Sequence, residues 1–243
     1  MLQQLLPLIP AHKTYVEPFA GSLAVLLAKP AARLEVVNDL NHDLITFYRY
    51  VRWHKEALFD ELQKYTSSRM EFDALKAMEP QTDLQRAVKW YLVKVNSFGA
   101  QDGTFQLSRT RFSGFEPERH LALIDAVSER LRNVTIESRD WEWVVGYWDS
   151  PETFIFLDPP YVECGVTAYR PFSEAEMIRV RDRLMTLQAK WVLTCDNSPT
   201  CRKIFSGLPW KEVGISYTVG TKAKEASELI VVSPNLASEV AVA

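Results

Sequence analysis

Four consecutive residues, Asp158-Pro159-Pro160-Tyr161, have the types and the order needed to hold an amino group carried by a flat ring. They directly follow residues 153–157, an apolar run typical of a buried strand. Because proline has no N–H to donate, the two prolines end the strand and leave the Asp158 carboxylate and nearby carbonyls facing the crevice at its carboxyl end. We expect Asp158 and the Pro159 carbonyl to accept the hydrogens of the amine and Tyr161 to stack on the ring. The alternative is an ordinary strand-ending turn with an exposed tyrosine.

Three other positions suit the binding of a nucleoside. Gly21 lies at a predicted strand–helix junction, where a ligand can approach the backbone and free N–H groups favour a polar or anionic group. Asp39 ends the next predicted strand, where α/β folds hold the hydroxyls of a ribose, although it could instead cap the following helix. Asp140, beside Trp141, could bind an adenine amino group or cap the helix that begins there.

Strands and helices alternate in the two outer thirds of the sequence, which brings the carboxyl ends of several strands to one edge. The predicted strands are residues 14–17, 34–38, 134–138, 154–157 and 191–194. This alternation predicts an α/β fold with a doubly wound parallel sheet. Two further strands, residues 212–217 and 229–233, follow with a turn at 220–224 and predict an antiparallel edge. Ser173 and Glu176 form a capping box that predicts a helix start.

The middle third has apolar residues at helical spacing and no strand pattern. It predicts helices at residues 56–65, 69–77, 84–95 and 117–131, with a long polar loop from 96 to 115. We therefore expect a catalytic domain of residues 1–54 and 132–243 with a helical insertion at 55–131. A long irregular loop within a compact domain is commonly functional, and the alternative is an insertion that only pads the sheet.

Taken together, these motifs resemble the Dam-like (D12 class) DNA adenine-N6 methyltransferases. In chain order they are Glu17-Pro18-Phe19-Ala20-Gly21, Asn38-Asp39 followed by Asp43-Leu44-Ile45-x-Phe47-Tyr48, Asp140-Trp141 and Asp158-Pro159-Pro160-Tyr161. They occur in the family's order and, with the last strands, cover nearly the whole chain. The resemblance implies a Rossmann-like S-adenosylmethionine-dependent methyltransferase sheet with an inserted helical target-recognition domain.

The same resemblance assigns roles to individual residues. Phe19 and Gly21 would border the methionine and sulfonium part of S-adenosylmethionine, Asp39 its ribose and Asp140 its adenine. The remaining cofactor-binding positions of the motifs are Glu17, Pro18, Ala20, Asn38, Trp141 and Asp158. The implied function is site-specific transfer of a methyl group to N6 of an adenine flipped out of double-stranded DNA.

Two departures from the family pattern leave alternatives open. The family usually begins with a Lys-Trp/Tyr-x-Gly-Gly-Lys segment that this sequence lacks, and Ser22 stands where a second glycine is common. One alternative is therefore a catalytically impaired DNA-binding relic. The other is methylation of a planar amine or amide in RNA or protein, where related families usually show Asn-Pro-Pro-Tyr/Phe.

The insertion supplies the candidate DNA contacts. Asn96, Ser97, Arg109 and Arg111 lie in its polar loop, and Lys222 lies in the late turn; for each, a solvated polar residue is the alternative. The whole chain of 243 residues has a net charge of −3, which does not nominate DNA. Residues 86–139, however, include nine basic and six acidic residues, so this stretch has a local net charge of +3.

Composition narrows the setting. Apolar residues make up 47% of the chain and charged residues 24%, an ordinary globular mixture. Three cysteines without a Cys-x-x-Cys spacing and four scattered histidines predict neither disulfides nor a metal site. With no long apolar run and no basic leader, we expect a cytoplasmic protein that does not contact membranes. The resemblance to the D12 class further implies a bacterial or phage origin. We also expect a monomer, with a restriction endonuclease as a functional partner.

Overall fold

The computed structural model describes residues 1–98, 103–108, 110, 112–162, 172–219 and 222–238, with the backbone alone for 215–219 and 222–226. The chain forms two compact units, one of Met1–Leu40 with Arg139–Ala243 and one of Asn41–Ser138. The predicted insertion at 55–131 lies inside the second unit.

Strands dominate the first unit. Numbered along the chain, the strands are β1 (Thr14–Glu17), β2 (Leu34–Asn38), β3 (Val134–Glu137), β4 (Thr153–Leu157), β5 (Lys190–Asp196), β6 (Trp210–Val219) and β7 (Lys222–Val232). In the first unit they lie in the order β2-β1-β4-β5-β7-β6. Neighbours from β2 to β5 are parallel, whereas β7 is antiparallel to both β5 and β6. The predicted α/β fold with an antiparallel edge is confirmed.

The parallel strands are apolar because both of their faces are covered. Every residue of β4 is buried, and the central residues of β1 and β5 are buried with it. Val16, Ile155 and Leu193 belong to one hydrophobic core. Trp191 in the same core satisfies its indole by donating from Nε1 to the Leu184 carbonyl at 3.1 Å. These contacts fix the strand ends that carry the predicted motifs.

The hairpin of β6 and β7 is longer than the sequence predicted. Its pairing runs from Trp210 opposite Val231 to Val219 opposite Lys222. Polar residues interrupt the apolar pattern along these two strands. Antiparallel strands can have one face in solvent and therefore can contain polar residues, so hydrophobicity alone did not indicate where these strands end. Lys222, predicted in a turn, therefore belongs to β7.

The helices begin and end close to the predicted positions. They are α1 (Leu2–Leu5), α2 (Ala24–Ala28), α3 (His42–Trp53), α4 (Lys55–Leu62), α5 (Arg69–Ala77), α6 (Asp83–Asn96), α7 (Pro117–Leu131), α8 (Trp141–Tyr147), α9 (Glu174–Leu184), α10 (Pro199–Ile204) and α11 (Pro234–Ala237). A short 3-10 helix, Leu6–Leu8, follows α1. Ser173 accepts the Glu176 N–H at 3.1 Å and caps α9 as predicted. Within the described part of the chain, no helix is long and apolar enough to cross a bilayer.

The second unit is built from α3 to α7 and ends with β3. Its core includes a parallel stack of Phe47 and Tyr91, whose ring centroids are 4.7 Å apart with planes inclined by 7°. The Tyr91 hydroxyl lies 2.7 Å from His120 Nδ1 and so pairs α6 with α7. The two helices that the polar loop connects, α6 and α7, are therefore packed together in the core of the helical unit.

Candidate active site

A cavity of about 390 Å³ opens where β1, β2 and β4 end. It lies within the first unit, at the carboxyl edge of the parallel strands, which is where open α/β sheets bind ligands. Three of the four predicted motifs contribute to its wall. The lining residues taken from them are Glu17, Phe19, Ala20, Gly21, Asp39, Asp158, Pro159, Pro160 and Tyr161.

Asp158 faces this cavity directly after β4. Its Oδ1 accepts a hydrogen bond from the Thr194 hydroxyl of β5 at 2.6 Å. The same hydroxyl lies 3.3 Å from the Leu157 carbonyl. Asp158 is exposed to the cavity, yet the protein atoms around it displace water from its carboxyl group, and this desolvation raises its pKa to about 6. The hydrogen bond from Thr194 lowers the pKa and the nearby charge of Glu228 raises it.

Glu17 is the last residue of β1 and is buried beneath the same cavity. Its Oε1 accepts hydrogen bonds from the Tyr15 hydroxyl and, at 2.8 Å, from the Leu26 N–H. Burial raises its pKa to about 7, although both hydrogen bonds act in the opposite direction. Asp158 contributes a further, smaller rise through its like charge.

The electrostatic character of the cavity is acidic. Four carboxylates line it, those of Glu17, Asp39, Asp158 and Glu228. No lysine, arginine or histidine is present among the described residues of the lining. Such a site favours a ligand that carries positive charge or hydrogen-bond donors.

The turn after β1 brings a backbone donor to the second strand tip. Gly21 adopts a positive φ of 45°, and its N–H donates to Asp39 Oδ2 at 3.1 Å. Leu23 also has a positive φ, of 58°, and it directly precedes α2. Strained backbone of this kind is concentrated at ligand sites. Asp39 does not cap the next helix, because Asn41 accepts the N–H groups of Asp43 and Leu44.

Asn38 has a different position from its neighbour Asp39. It is fully buried and does not line the cavity. Its Nδ2 donates to the Pro18 carbonyl at 2.9 Å and the Arg139 carbonyl at 3.0 Å, while its Oδ1 accepts the Arg139 N–H at 2.7 Å. Asn38 and Pro18 therefore support the cavity from behind.

Asp140 and Trp141 are not among the residues that line the cavity. Asp140 accepts the Glu142 N–H at 2.9 Å and caps α8, and it lies 3.6 Å from the Arg179 guanidinium. Trp141 is buried, and its Nε1 donates to Glu176 at 3.0 Å. Of the two roles that the sequence allowed for Asp140, the cap is the one observed.

Thr194, Glu228 and Phe172 are among the cavity residues that were not predicted. Thr194 and Glu228 come from β5 and β7, and Phe172 packs edge-on against Phe19 with centroids 6.0 Å apart. The sequence offered only weak signals for Thr194 and Glu228: a hydroxyl inside the apolar run of β5 and an acid immediately before the last apolar run. Neither signal distinguishes the cavity from solvent without the strand order.

The candidate DNA contacts lie in different environments. Asn96 and Ser97 are buried within the helical unit. Asn96 Oδ1 accepts from the Phe115 N–H and the Ser67 hydroxyl, both at 3.0 Å, so it anchors the loop from inside. Arg109 and Arg111 lie outside the described residues, as does the side chain of Lys222.

Comparison with known proteins decides the family. The family model of the D12 class N6 adenine-specific DNA methyltransferases matches residues 1–219. The chain belongs to this family. As a member it is a site-specific DNA adenine methyltransferase whose methyl donor is S-adenosylmethionine.

Three type II methyltransferases are similar to this methyltransferase along much of its length. M1.LlaDCHI of Lactococcus lactis subsp. cremoris is 26% identical and the alignment covers 93% of this chain and 89% of that protein. M.CviBI of Paramecium bursaria Chlorella virus NC1A is 20% identical over 80% and 77% of the two chains. M.MjaIII of Methanocaldococcus jannaschii is 26% identical over 64% and 61%.

The cavity of the methyltransferase fits the cofactor chemically. Its volume falls within the range of small-molecule sites, and Phe19, Phe156 and Phe172 supply apolar walls. Asp39 offers a carboxylate for ribose hydroxyls, and the acidic lining suits a ligand with a positively charged sulfur. Within the described residues, no three His, Cys, Asp or Glu side chains are grouped to hold a metal ion.

Proposed function

We propose that the methyltransferase receives the target adenine at Asp158, with the amine hydrogens directed to Asp158 and the Pro159 carbonyl and the ring stacked on Tyr161. The observation that supports this most strongly is the Asp158 carboxylate at the cavity, oriented by Thr194 at 2.6 Å. Phe19, Gly21 and Asp39 would hold the cofactor in the same cavity. Asp140, which caps α8 through Oδ1, would contact the adenine of the cofactor through its other carboxylate oxygen.

The residues act on an amine that is a weak nucleophile. The N6 lone pair of adenine is delocalised into the ring. Two hydrogen bonds donated by the amine, one to Asp158 and one to the Pro159 carbonyl, favour a pyramidal nitrogen whose lone pair is free to react. When bound, S-adenosylmethionine supplies an electrophilic methyl group on a positively charged sulfur, which leaves as a neutral thioether. Asp158 stabilises the positive charge that develops on N6 and then accepts one N6 proton, leaving N6-methyladenine. The neutral carboxyl group returns this proton to water.

The helical unit is proposed to recognise the DNA sequence. Removing a base from the duplex costs a few kcal/mol, which stacking on Tyr161 offsets in part. Phe98 and Phe112, with 47% and 65% of their surface exposed, flank the loop that contains Arg109 and Arg111. We assign phosphate and base contacts to these two arginines and a phosphate contact to Lys222. Asn96 and Ser97 would contribute by holding the loop rather than by touching DNA.

Two further proposals concern partners. The type II names of three relatives support a restriction endonuclease that cuts the same sequence when it is unmethylated. We also propose that the enzyme acts as a monomer, because one chain contributes the whole of the cavity described above.

Replacing Asp158 tests the central assignment. We expect Asp158→Ala to lose methyl transfer by at least about a thousandfold, because the mutant can neither orient the amine nor stabilise its charge. Cofactor binding, measured by isothermal titration, is expected to stay within about tenfold of the wild type. Tritium transfer to duplex DNA measures the activity.

Asp182→Ala is the matched control, since Asp182 is exposed on α9 and pairs with Arg181. Its activity should equal that of the wild type. Normal turnover by Asp158→Ala would refute the assignment of Asp158. No detectable binding of S-adenosylmethionine to the wild-type chain would favour the alternative of a DNA-binding relic.

A further inference from the structure

Glu228 is a buried carboxylate that the family motifs above do not include. It is 5% exposed, lies on β7 and lines the cavity that contains Asp158. The antiparallel register places Glu228 opposite Asp196 and Thr194 opposite Ile230. Because paired residues share a face and alternate residues return to it, Glu228 and Thr194 point to the same side of the sheet. That side carries the cavity.

We propose that Glu228 is a positioning residue for methyl transfer, which acts on the target amine through Asp158 by keeping a second negative charge beside that carboxylate. The proposal rests on the assignment of Asp158 made above. A negative neighbour makes Asp158 a stronger hydrogen-bond acceptor and a better acceptor for the proton that N6 releases. The Thr194 hydroxyl acts in the opposite direction, because it donates to Asp158 and stabilises the ionised form.

Glu228 is a neighbour that raises the pKa of Asp158 by its charge. Desolvation by the surrounding protein atoms is the largest cause of the raised pKa of Asp158, and the like charge of Glu228 adds to it. Glu17 and Asp39 face the cavity from the ends of β1 and β2, and Tyr161 follows on the same loop. Asp196 lies opposite Glu228 on β5 and accepts from the Cys201 thiol at 3.4 Å. The substitution Glu228→Gln therefore removes one negative charge and leaves the other acidic residues of the site in place.

The first experiment reads Asp158 without cofactor or catalysis. Enzyme labelled with carbon-13 at the aspartate side-chain carboxyls is titrated from pH 4 to 9, and the Asp158 signal is identified by its loss in Asp158→Asn. We expect Glu228→Gln to lower the midpoint of this signal by at least about 0.5 pH unit. Thr194→Val is expected to raise it. An unchanged midpoint in Glu228→Gln overturns the proposal.

The second experiment follows the reaction itself. Single-turnover methylation of duplex DNA, measured across the same pH range, isolates the chemical step from product release. We expect the acidic limb of the rate to move to lower pH in Glu228→Gln by the same amount as the titration midpoint. Cofactor affinity should stay within about threefold, since Asp158 and the proposed cofactor residues are intact. A rate loss at every pH with an unmoved limb would show that Glu228 is only structural.

Controls separate this proposal from the one it rests on. A wild-type profile without an acidic limb contradicts the role of Asp158, whereas a limb that Glu228→Gln leaves in place contradicts only the role of Glu228. Glu212→Gln is the matched control, because Glu212 is exposed on β6 and pairs with Arg202. Should Glu228→Gln not fold, Glu228→Asp keeps the charge but withdraws it by one methylene, and must still lower the midpoint by a smaller amount.

Discussion

Glu17 is held in a place that does not suit its charge. It is buried, receives two hydrogen bonds and lies in a cavity with three other carboxylates. A carboxyl group whose pKa rises on folding lowers stability at every pH above its unfolded-state pKa. Such a conflict between stability and local chemistry is expected at a site that binds a cation.

Substitution of this residue should therefore stabilise the enzyme in a pH-dependent way. The pKa of Glu17 is raised to about 7, so wild-type stability falls as pH rises from about 4.5 to 7 and stays reduced above that. Glu17→Gln keeps an oxygen acceptor but cannot ionise. We expect it to exceed the wild type by about 1–3 kcal/mol in unfolding free energy at pH 8. Below pH 4.5 the two proteins should be nearly equal.

Urea unfolding at pH 4, 6 and 8 measures this difference. The exposed Glu174 on α9 supplies the control, since Glu174→Gln should show no such gain with pH. A Glu17→Gln variant that is less stable than the wild type at pH 8 would mean that the buried carboxylate is ionised and well compensated.

At the scale of elements, the predictable parts were the strand ends. The buried runs ending at Glu17, Asn38 and Leu157 are short, apolar and bounded by turn residues, so their ends could be placed to a residue. Thr194 and Glu228 could not be placed in the site, because their proximity to Asp158 depends on the order of β4, β5 and β7. Strand order is a long-range property that local patterns do not contain.

The loop between α6 and α7 is a second case in which a long-range contact could not be predicted from the local sequence. Its composition suggested exposure, yet the Asn96 side chain is turned inward and holds Phe115 and Ser67. Gly114 makes this closure feasible with a φ of 112°. A Cβ at that position would lie 2.3 Å from Ser67 Oγ and 2.5 Å from Asn96 Oδ1. One glycine and one asparagine thus decide how the loop is mounted.

We therefore expect Gly114→Ala to destabilise the helical unit. Both the backbone conformation and the contact with two polar side chains oppose the added methyl, at a combined cost of about 2–4 kcal/mol. Urea unfolding followed by circular dichroism measures the loss. DNA binding by this variant should weaken as well, since the arginine loop loses its anchor.

Gly103→Ala is the matched control in the same loop, because a Cβ there meets nothing within 4 Å and its φ is not in the left-handed region. Its stability should stay within about 0.5 kcal/mol of the wild type. Equal stabilities of the two variants would mean that Asn96 does not clamp the loop.

The whole molecule combines an acidic cavity with a positively charged stretch, residues 86–139, which lies almost entirely in a helical unit of no net charge. The 14 basic and 14 acidic residues of 41–138 cancel, so the net charge of −3 belongs to the first unit and says little about DNA binding by the positive stretch. Binding through few phosphate contacts should still depend on salt, with a slope of about −0.9 in the logarithmic plot for each contact. We expect the double variant Arg109→Ala/Arg111→Ala to reduce the magnitude of this slope by about 1–2.

Fluorescence anisotropy of labelled duplex DNA at several salt concentrations measures the slope. Arg202→Ala is the control, since Arg202 lies on α10 and pairs with Glu212. A double variant with the wild-type slope would remove these two arginines from the proposed DNA interface.

The three hydrogen bonds of Asn38 have an evolutionary consequence. Its amide fastens Pro18 to Arg139, two positions of the first unit between which the whole helical unit, Asn41–Ser138, is inserted. Asn38, two residues before the chain leaves the first unit, is thus bonded to Arg139, where the chain returns to that unit. An insert of another length or sequence in place of residues 55–131, the predicted insertion, would leave this tie and every strand of the sheet in place. A lineage could acquire new target sequences by exchanging this module while its chemistry stays constant.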